Sequence, residues 1–168
     1  MKMKNKLKII LLFLITSLSY SQDKITVLTN STSTFIETYD YTSYNETYRL
    51  DKAIRIGPST LKLLKTGIDT AIKWVNLNSE HNKQFSKEIC RFKAMDKDIY
   101  EFHGYVENIT NEYSMVFYGD NNGDFKLEIK TPHESDFIKI ESYEMLQSFK
   151  KLLNGESTNS EIDDIFKK

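Results

Sequence analysis

The sequence predicts an α+β domain, an antiparallel sheet of hairpins packed in two layers with one long central helix and one C-terminal helix. Two observations predict it. Short β-branched or alternating runs, bounded by Gly, Asn and Pro, occur on both sides of one long helical stretch. Apolar residues at three-and-four spacing recur in that stretch and again near the C-terminus, which gives two amphipathic helices to cover one sheet face.

The elements follow in order. Lys24 to Thr29 is β-branched and reads as a strand. Asn30 to Tyr48 is rich in Thr, Ser, Asn and Tyr, and reads as paired strands turning near Ser43 to Asn45. A further strand covers Tyr48 to Ile56, stopped by Gly57-Pro58. Ser59 or Thr60 is then expected to cap a helix running to about Leu77, with Leu61, Leu64, Ile68, Ala71, Ile72 and Val75 on one face. Gly67 costs that helix about 1 kcal/mol relative to Ala. Asn76 to Lys83 reads as a polar helix end or loop.

The second half reads as strands. Phe85 to Ala94 is the first, and Ile99 to Glu107 the second, with Tyr100, Phe102, Gly104 and Val106 on one face. Glu112 to Tyr118 and Phe125 to Lys130 flank Gly119-Asp120-Asn121-Asn122-Gly123-Asp124, a hairpin turn by composition. Phe125, Leu127 and Ile129 alternate with Lys126, Glu128 and Lys130, as in a strand with one wet face. A short strand over Asp136 to Glu141 leads to Ser142, which caps a closing helix ended by Asn154-Gly155.

The chain divides into an export signal over 1–21, one domain over 22–155 and a polar tail over 156–168, whose end either forms a short helix or frays. Lys2, Lys4, Lys6 and Lys8 precede the apolar run from Ile9 to Ile15, and Ser19 and Ser21 supply small residues before a cut at Gln22. The apolar run is too short to span a bilayer, which needs about 20 residues, so no stable membrane anchor is expected after cleavage. Localisation is therefore expected to be periplasmic or extracellular.

Removing residues 1–21 takes away four Lys and no acid. The remaining 147 residues carry 19 basic and 24 acidic side chains, a formal charge of −5. No basic patch survives, which argues against a nucleic-acid partner. Lys outnumbers Arg by 20 to 3, a bias that points to an AT-rich bacterial genome, where the sequons at Asn30, Asn45 and Asn108 are accidents of composition. Cys90 is the only Cys, so an internal disulfide and a Cys-based metal site are both excluded. It alternates in phase with Phe92 and reads as core. Trp74 reads as packing at the core edge.

Three constellations carry candidate chemistry. Tyr39, Tyr41, Tyr44 and Tyr48 stand among Ser, Thr and Asn, a mixture that offers broad amphipathic contact with adaptable hydrogen bonding and suits a protein, peptide or glycan. The competing reading is an exposed hairpin in which Tyr and Thr are simply good strand formers. Glu101, His103 and Glu107 would alternate with Tyr105 on the wet face of the Ile99 strand, where a His between carboxylates suits acid–base work or a metal. Cross-strand pairing on a solvated face explains the same residues without function and is the preferred reading. Asp120, Asn122 and Asp124 match the first ligand positions of a calcium loop, but Phe125 and Thr131 stand where Gly and Glu are required.

No G-x-S-x-G elbow, H-E-x-x-H motif or phosphate loop is present, and no cofactor is expected. The reading is of a small secreted bacterial binding or accessory protein without catalysis. The alternatives are a small hydrolase-like or metal-dependent enzyme built on the His103 row, and a structural envelope protein.

Overall fold

The computed structural model describes residues 24–42, 44, 46–104, 109–131 and 137–156. The expected export signal over 1–21 lies outside them, as do residues 157–168 of the tail. The elements are β1 (Lys24–Thr29), β2 (Thr34–Thr42), β3 (Thr47–Ile56), α1 (Pro58–His81), β4 (Phe85–Asp96), α2 (Lys97–His103), β5 (Asn111–Gly119), β6 (Phe125–Lys130), β7 (Ile138–Ile140) and α3 (Tyr143–Leu153). The strands form one antiparallel sheet in sequence order, so each neighbour in space is the next strand in the chain. The α+β class, the long central helix and the C-terminal helix are as the sequence predicts. No helix among the described residues is long and apolar enough to cross a membrane.

The core lies between one sheet face and the two longer helices. Leu64, Ile68, Ala71 and Val75 of α1 are buried against it, as are Leu146, Phe149 and Leu153 of α3. Met115, Phe117, Leu127 and Ile129 supply the sheet side of β5 and β6. Trp74 meets Phe85 and Phe117 edge-on at 6.1 and 5.7 Å, which is the expected core-edge packing. Cys90 is half-buried against the same cluster. Burial, aided by the Glu88 charge, pushes its thiol pKa up to about 11, which disfavours the nucleophilic thiolate at neutral pH.

Helix α1 is longer than periodicity predicts at both ends. Gly57, not Ser59 or Thr60, is its N-cap, and Pro58 opens it, because the missing N–H of Pro costs nothing in a first turn. At the other end the polar segment expected as a helix end or loop stays helical to His81, and Asn82 closes it at φ 50°. The reason is Asn78, which is 1 % exposed. Its Nδ2 donates to the backbone carbonyl of Asp124 at 2.9 Å and to that of Asp120 at 3.4 Å, pinning α1 to the β5–β6 turn. Gly119 makes room for this contact. A Cβ there would lie 2.7 Å from Asn78 Cγ and 2.9 Å from Phe85 Cε1.

That turn also accounts for the calcium-like spacing. Asp120 Oδ1 accepts the backbone N–H groups of Asn122 and Asp124 at 2.8 and 3.0 Å, so its carboxylate organises the turn. The C-terminal helix begins as expected, with Ser142 Oγ accepting the Met145 N–H at 3.1 Å, and ends before Gly155 at φ 77°.

One element is corrected outright. The expected strand from Ile99 to Glu107 is absent over its described part, because Lys97–His103 form helix α2. Asp96 caps it by accepting the Asp98 N–H at 2.9 Å. Tyr100 then packs on Phe35 of β2, with ring centroids 5.8 Å apart. A local cap plus this tertiary contact outweighs the β-propensity of Ile99 and Tyr100. Tyr105, Val106 and Glu107 lie outside the described residues.

Candidate functional site

The site is built on the outer face of β1, β2 and β3, opposite the core. Alternation along β2 places Ile36 inward, 0 % exposed, and Phe35, Glu37, Tyr39 and Tyr41 outward. The β3 partners across the ladder are Arg55 for Phe35, Ala53 for Glu37, Leu50 for Tyr39 and Tyr48 for Tyr41. Thr26 and Lys24 of β1 stand opposite Glu37 and Tyr39.

A β-bulge assembles this row. The ladder steps from Thr38–Lys52 to Tyr39–Leu50, leaving Asp51 as an extra residue in β3. In an unbroken ladder Tyr39 and Tyr41 would pair with Asp51 and Arg49, and Leu50 and Tyr48 would face the other way. One inserted residue reverses the phase of a strand. Here it brings Leu50 and Tyr48 beside Tyr39 and Tyr41. Asp40, Thr42, Thr47 and Arg49 take the opposite face, so this part of the hairpin is amphipathic.

The hairpin also projects. Strand β4 pairs with β3 only at Ile54 and Arg55, and β1 reaches Tyr39 from its first described residue. Among the described residues, the segments 40–42 and 47–51 therefore pair only with each other. Tyr48 and Leu50 are 48 and 45 % exposed, and Tyr44 at the tip is 92 % exposed. The Tyr41 and Tyr48 rings meet edge-to-face at 5.4 Å, and Lys24 Nζ lies 5.8 and 5.9 Å from the Tyr39 and Tyr48 ring centres. Of the four predicted tyrosines, Tyr39, Tyr41 and Tyr48 share this face, and Tyr44 stands at the tip beside them.

At the base of the row the chemistry becomes ionic. Glu37 is 5 % exposed. Its carboxylate accepts from Lys97 Nζ at 2.6 Å, Tyr39 OH at 2.6 Å and Thr26 Oγ1 at 3.2 Å. Burial pushes the carboxyl pKa up, but the Lys97 and Tyr39 hydrogen bonds outweigh it and hold the pKa below the ordinary carboxylate value. The same bond raises Tyr39, whose hydroxyl is thereby kept protonated and oriented. Arg55 stacks over Tyr100 at 4.7 Å and Lys97 lies 5.7 Å from the Phe35 ring centre. Helix α2 thus walls one end of the aromatic row, anchored by the Lys97 ion pair to buried Glu37.

The His103 row is not assembled. Glu101 and His103 are two residues apart on a helix, a rotation of roughly 200° that sends them to opposite sides. Glu101 lies 3.9 Å from Lys97 Nζ, and exposed His103 contacts Phe102. Glu107 and His133 are outside the described residues. Among the described residues no group of three His, Cys, Asp or Glu side chains is placed to hold a metal.

A shallow depression of about 670 Å³ lies at the far end of the sheet, lined by Gln84, Ser86, Tyr118, Asp124, Lys126 and Lys139 among others. Its cations already have anionic partners. Lys126 binds buried Glu128, which also takes Lys130 from outside the lining, and Lys139 pairs with Glu141 at 2.8 Å. Lys130 also donates to Tyr118 OH at 2.7 Å.

Sequence reasoning did not reach Leu50, Lys24, Glu37 or Lys97. The bulge at Asp51 has no compositional signature, and the Glu37–Lys97 pair joins residues 60 apart in the chain. The chain matches no protein-family model, no curated protein and no solved structure, so function is read from the site itself.

Proposed function

We propose that this chain is a small exported, non-catalytic binding protein that holds a protein, peptide or glycan against the outer face of the β2–β3 hairpin. One observation carries the reading. A bulge turns exposed Tyr48 and Leu50 to the side of half-buried Tyr39 and Tyr41, so three tyrosines and a leucine share one solvent-facing side of a projecting hairpin. Tyr gives large contact area at low entropic cost. The separation of Glu101 from His103 on α2 removes the strand row that motivated an enzymatic reading.

The test is co-sedimentation with an isolated bacterial cell-envelope fraction. The Tyr41→Ser, Tyr48→Ser double variant should be retained roughly tenfold less than the parent, as expected for loss of aromatic anchors. Asn122→Ser, at the tip of the other hairpin, should leave retention unchanged. Protease or glycosidase treatment of the fraction then separates a protein from a glycan ligand. Equal retention of the parent and the double variant contradicts the proposal.

A further inference from the structure

The β2–β3 hairpin has a second unmatched feature, its β3 edge. Strand β4 covers that edge only at Ile54 and Arg55 and then turns into α2. Residues 47–51 continue beyond it, all exposed, with no ladder partner on that side among the described residues. An open edge carries backbone N–H and C=O groups ready to receive another strand.

The side chains on the edge specify what it fits. Arg49 makes no ion pair among the described residues, although Asp40 stands across the ladder from it. Among the described residues Asp51 accepts only a 3.5 Å hydrogen bond from the Thr38 hydroxyl. Leu50 lies between them and points to the outer face. An antiparallel copy of this strand, related by a two-fold axis through Leu50, puts Leu50 opposite Leu50 and Arg49 opposite Asp51, twice. Opposite charges directly across an antiparallel pair are stabilising, and like charges are not. A self-complementary patch is what a two-fold interface requires.

We propose that the β3 edges of two copies pair antiparallel about Leu50, joining two hairpins into one four-stranded ribbon. The dimer sets the two aromatic faces side by side on one surface, with Leu50 of each copy at the centre and Tyr48, Tyr41 and Tyr39 running outward. Each copy's tyrosine face stays open to a ligand, which is then held at two linked sites. The pairing does not depend on the binding reading above. Self-association is measured without any ligand, so either can fail alone.

The experiment is sedimentation velocity on the purified protein over a concentration series, with circular dichroism to check folding. The parent should dimerise. Arg49→Asp alone and Asp51→Arg alone each place like charges across both pairs, and each should raise the dimer dissociation constant roughly tenfold or more. Mixing these two variants restores both attractive pairs and should give a heterodimer near parental affinity. If a charge variant fails to fold, Leu50→Cys in a Cys90→Ala background provides the second test. Residues directly across an antiparallel ladder are close enough to bridge, so mild oxidation should link two chains. A parent that stays monomeric, single variants that dimerise as the parent does, a mixture that does not associate, or a Leu50→Cys variant that does not cross-link each overturns the proposal. An extended peptide from another protein seated on this edge in place of a second copy overturns it as well.

Discussion

The β5–β6 and β2–β3 hairpins use the same local grammar to opposite ends. In β5–β6 the turn is held from inside and outside. Asp120 binds its backbone, Asn78 reaches it from α1, and Gly119 gives way to that amide. Its inward side chains Phe117, Leu127 and Ile129 are at most 1 % exposed. In β2–β3 the strands run past their neighbours, and the aromatic side chains on the outer face meet each other and water. Isolated two-stranded ribbons are marginal in water. A protruding one rich in exposed Tyr is therefore a poor way to build a core and a good way to present a surface.

The same contrast appears in the two buried glutamates. Glu128 takes its cations, Lys126 and Lys130, from its own strand. Glu37 takes Lys97 from α2, so its ion pair fixes one element onto another. Burial raises the Glu128 pKa, and the Lys126 and Lys130 hydrogen bonds then carry it below the ordinary value. The electrostatic outcome matches that of Glu37, but only at Glu37 does the pair position something.

The largest expected effect is in the pinned hairpin. Gly119→Ala forces a methyl group into the buried Asn78 amide and against Phe85, and should cost about 2–3 kcal/mol in urea denaturation. Tyr44→Ala, at the tip of the projecting hairpin, should fall within about 0.5 kcal/mol of the parent. Equal costs at the two sites would erase the distinction between them.

Next is Lys97→Met. Removing one partner of a fully buried pair costs about 3–5 kcal/mol, and the quarter-exposed Lys97 side chain brings the expectation down to about 2 kcal/mol at pH 7. Hydrogen exchange should show the amides of α2 opening more readily in this variant. The corresponding change at the other glutamate, Lys130→Met, leaves Lys126 in place and should cost about 1 kcal/mol or less. The pH dependence sharpens the difference. The Glu37 pKa is lowered from an ordinary 4.5, so its stabilisation is complete above that value and is lost as pH falls through the lowered one. Lys97 is raised from an ordinary 10.5, chiefly by the Glu37 hydrogen bond, so its share persists below that value and is lost as pH rises through the raised one. The gap between parent and Lys97→Met should be widest near neutrality and close on acidification. A gap independent of pH would show that the ion pair is not its source.

A similarly small stability effect is expected on the contact surface. Tyr48→Ser loses one edge-to-face contact on an exposed strand and should cost about 0.5–1 kcal/mol by thermal denaturation. A loss as large as that for Gly119→Ala would mean that the Tyr48 ring serves the core.

Most of the fold was legible because its signals are local. Leu64, Ile68, Ala71 and Val75 mark α1, the alternation of Phe125, Leu127 and Ile129 marks β6, and Ser142 with Gly155 bounds α3. What escaped depends on tertiary contact. Asn78 prolongs α1 through bonds to residues more than forty positions away. Tyr100 folds into α2 because Phe35 offers it a ring, where periodicity alone suggests a strand. At the candidate site, composition singled out the tyrosines, but not that Tyr48 shares a face with Tyr39 and Tyr41. That depends on Asp51, whose insertion into the ladder is a property of the pairing and not of any residue type.

The most direct test of the central claim places a photo-crosslinking amino acid at Tyr44 in one protein and at Asn122 in another, the tips of the two hairpins. Both proteins are then irradiated with the bacterial cell-envelope fraction. The account predicts adducts from position 44 that are lost when Tyr41→Ser and Tyr48→Ser are added, and none beyond background from position 122. Equal adducts from both tips, or adducts at position 44 that survive the two serine substitutions, would contradict it.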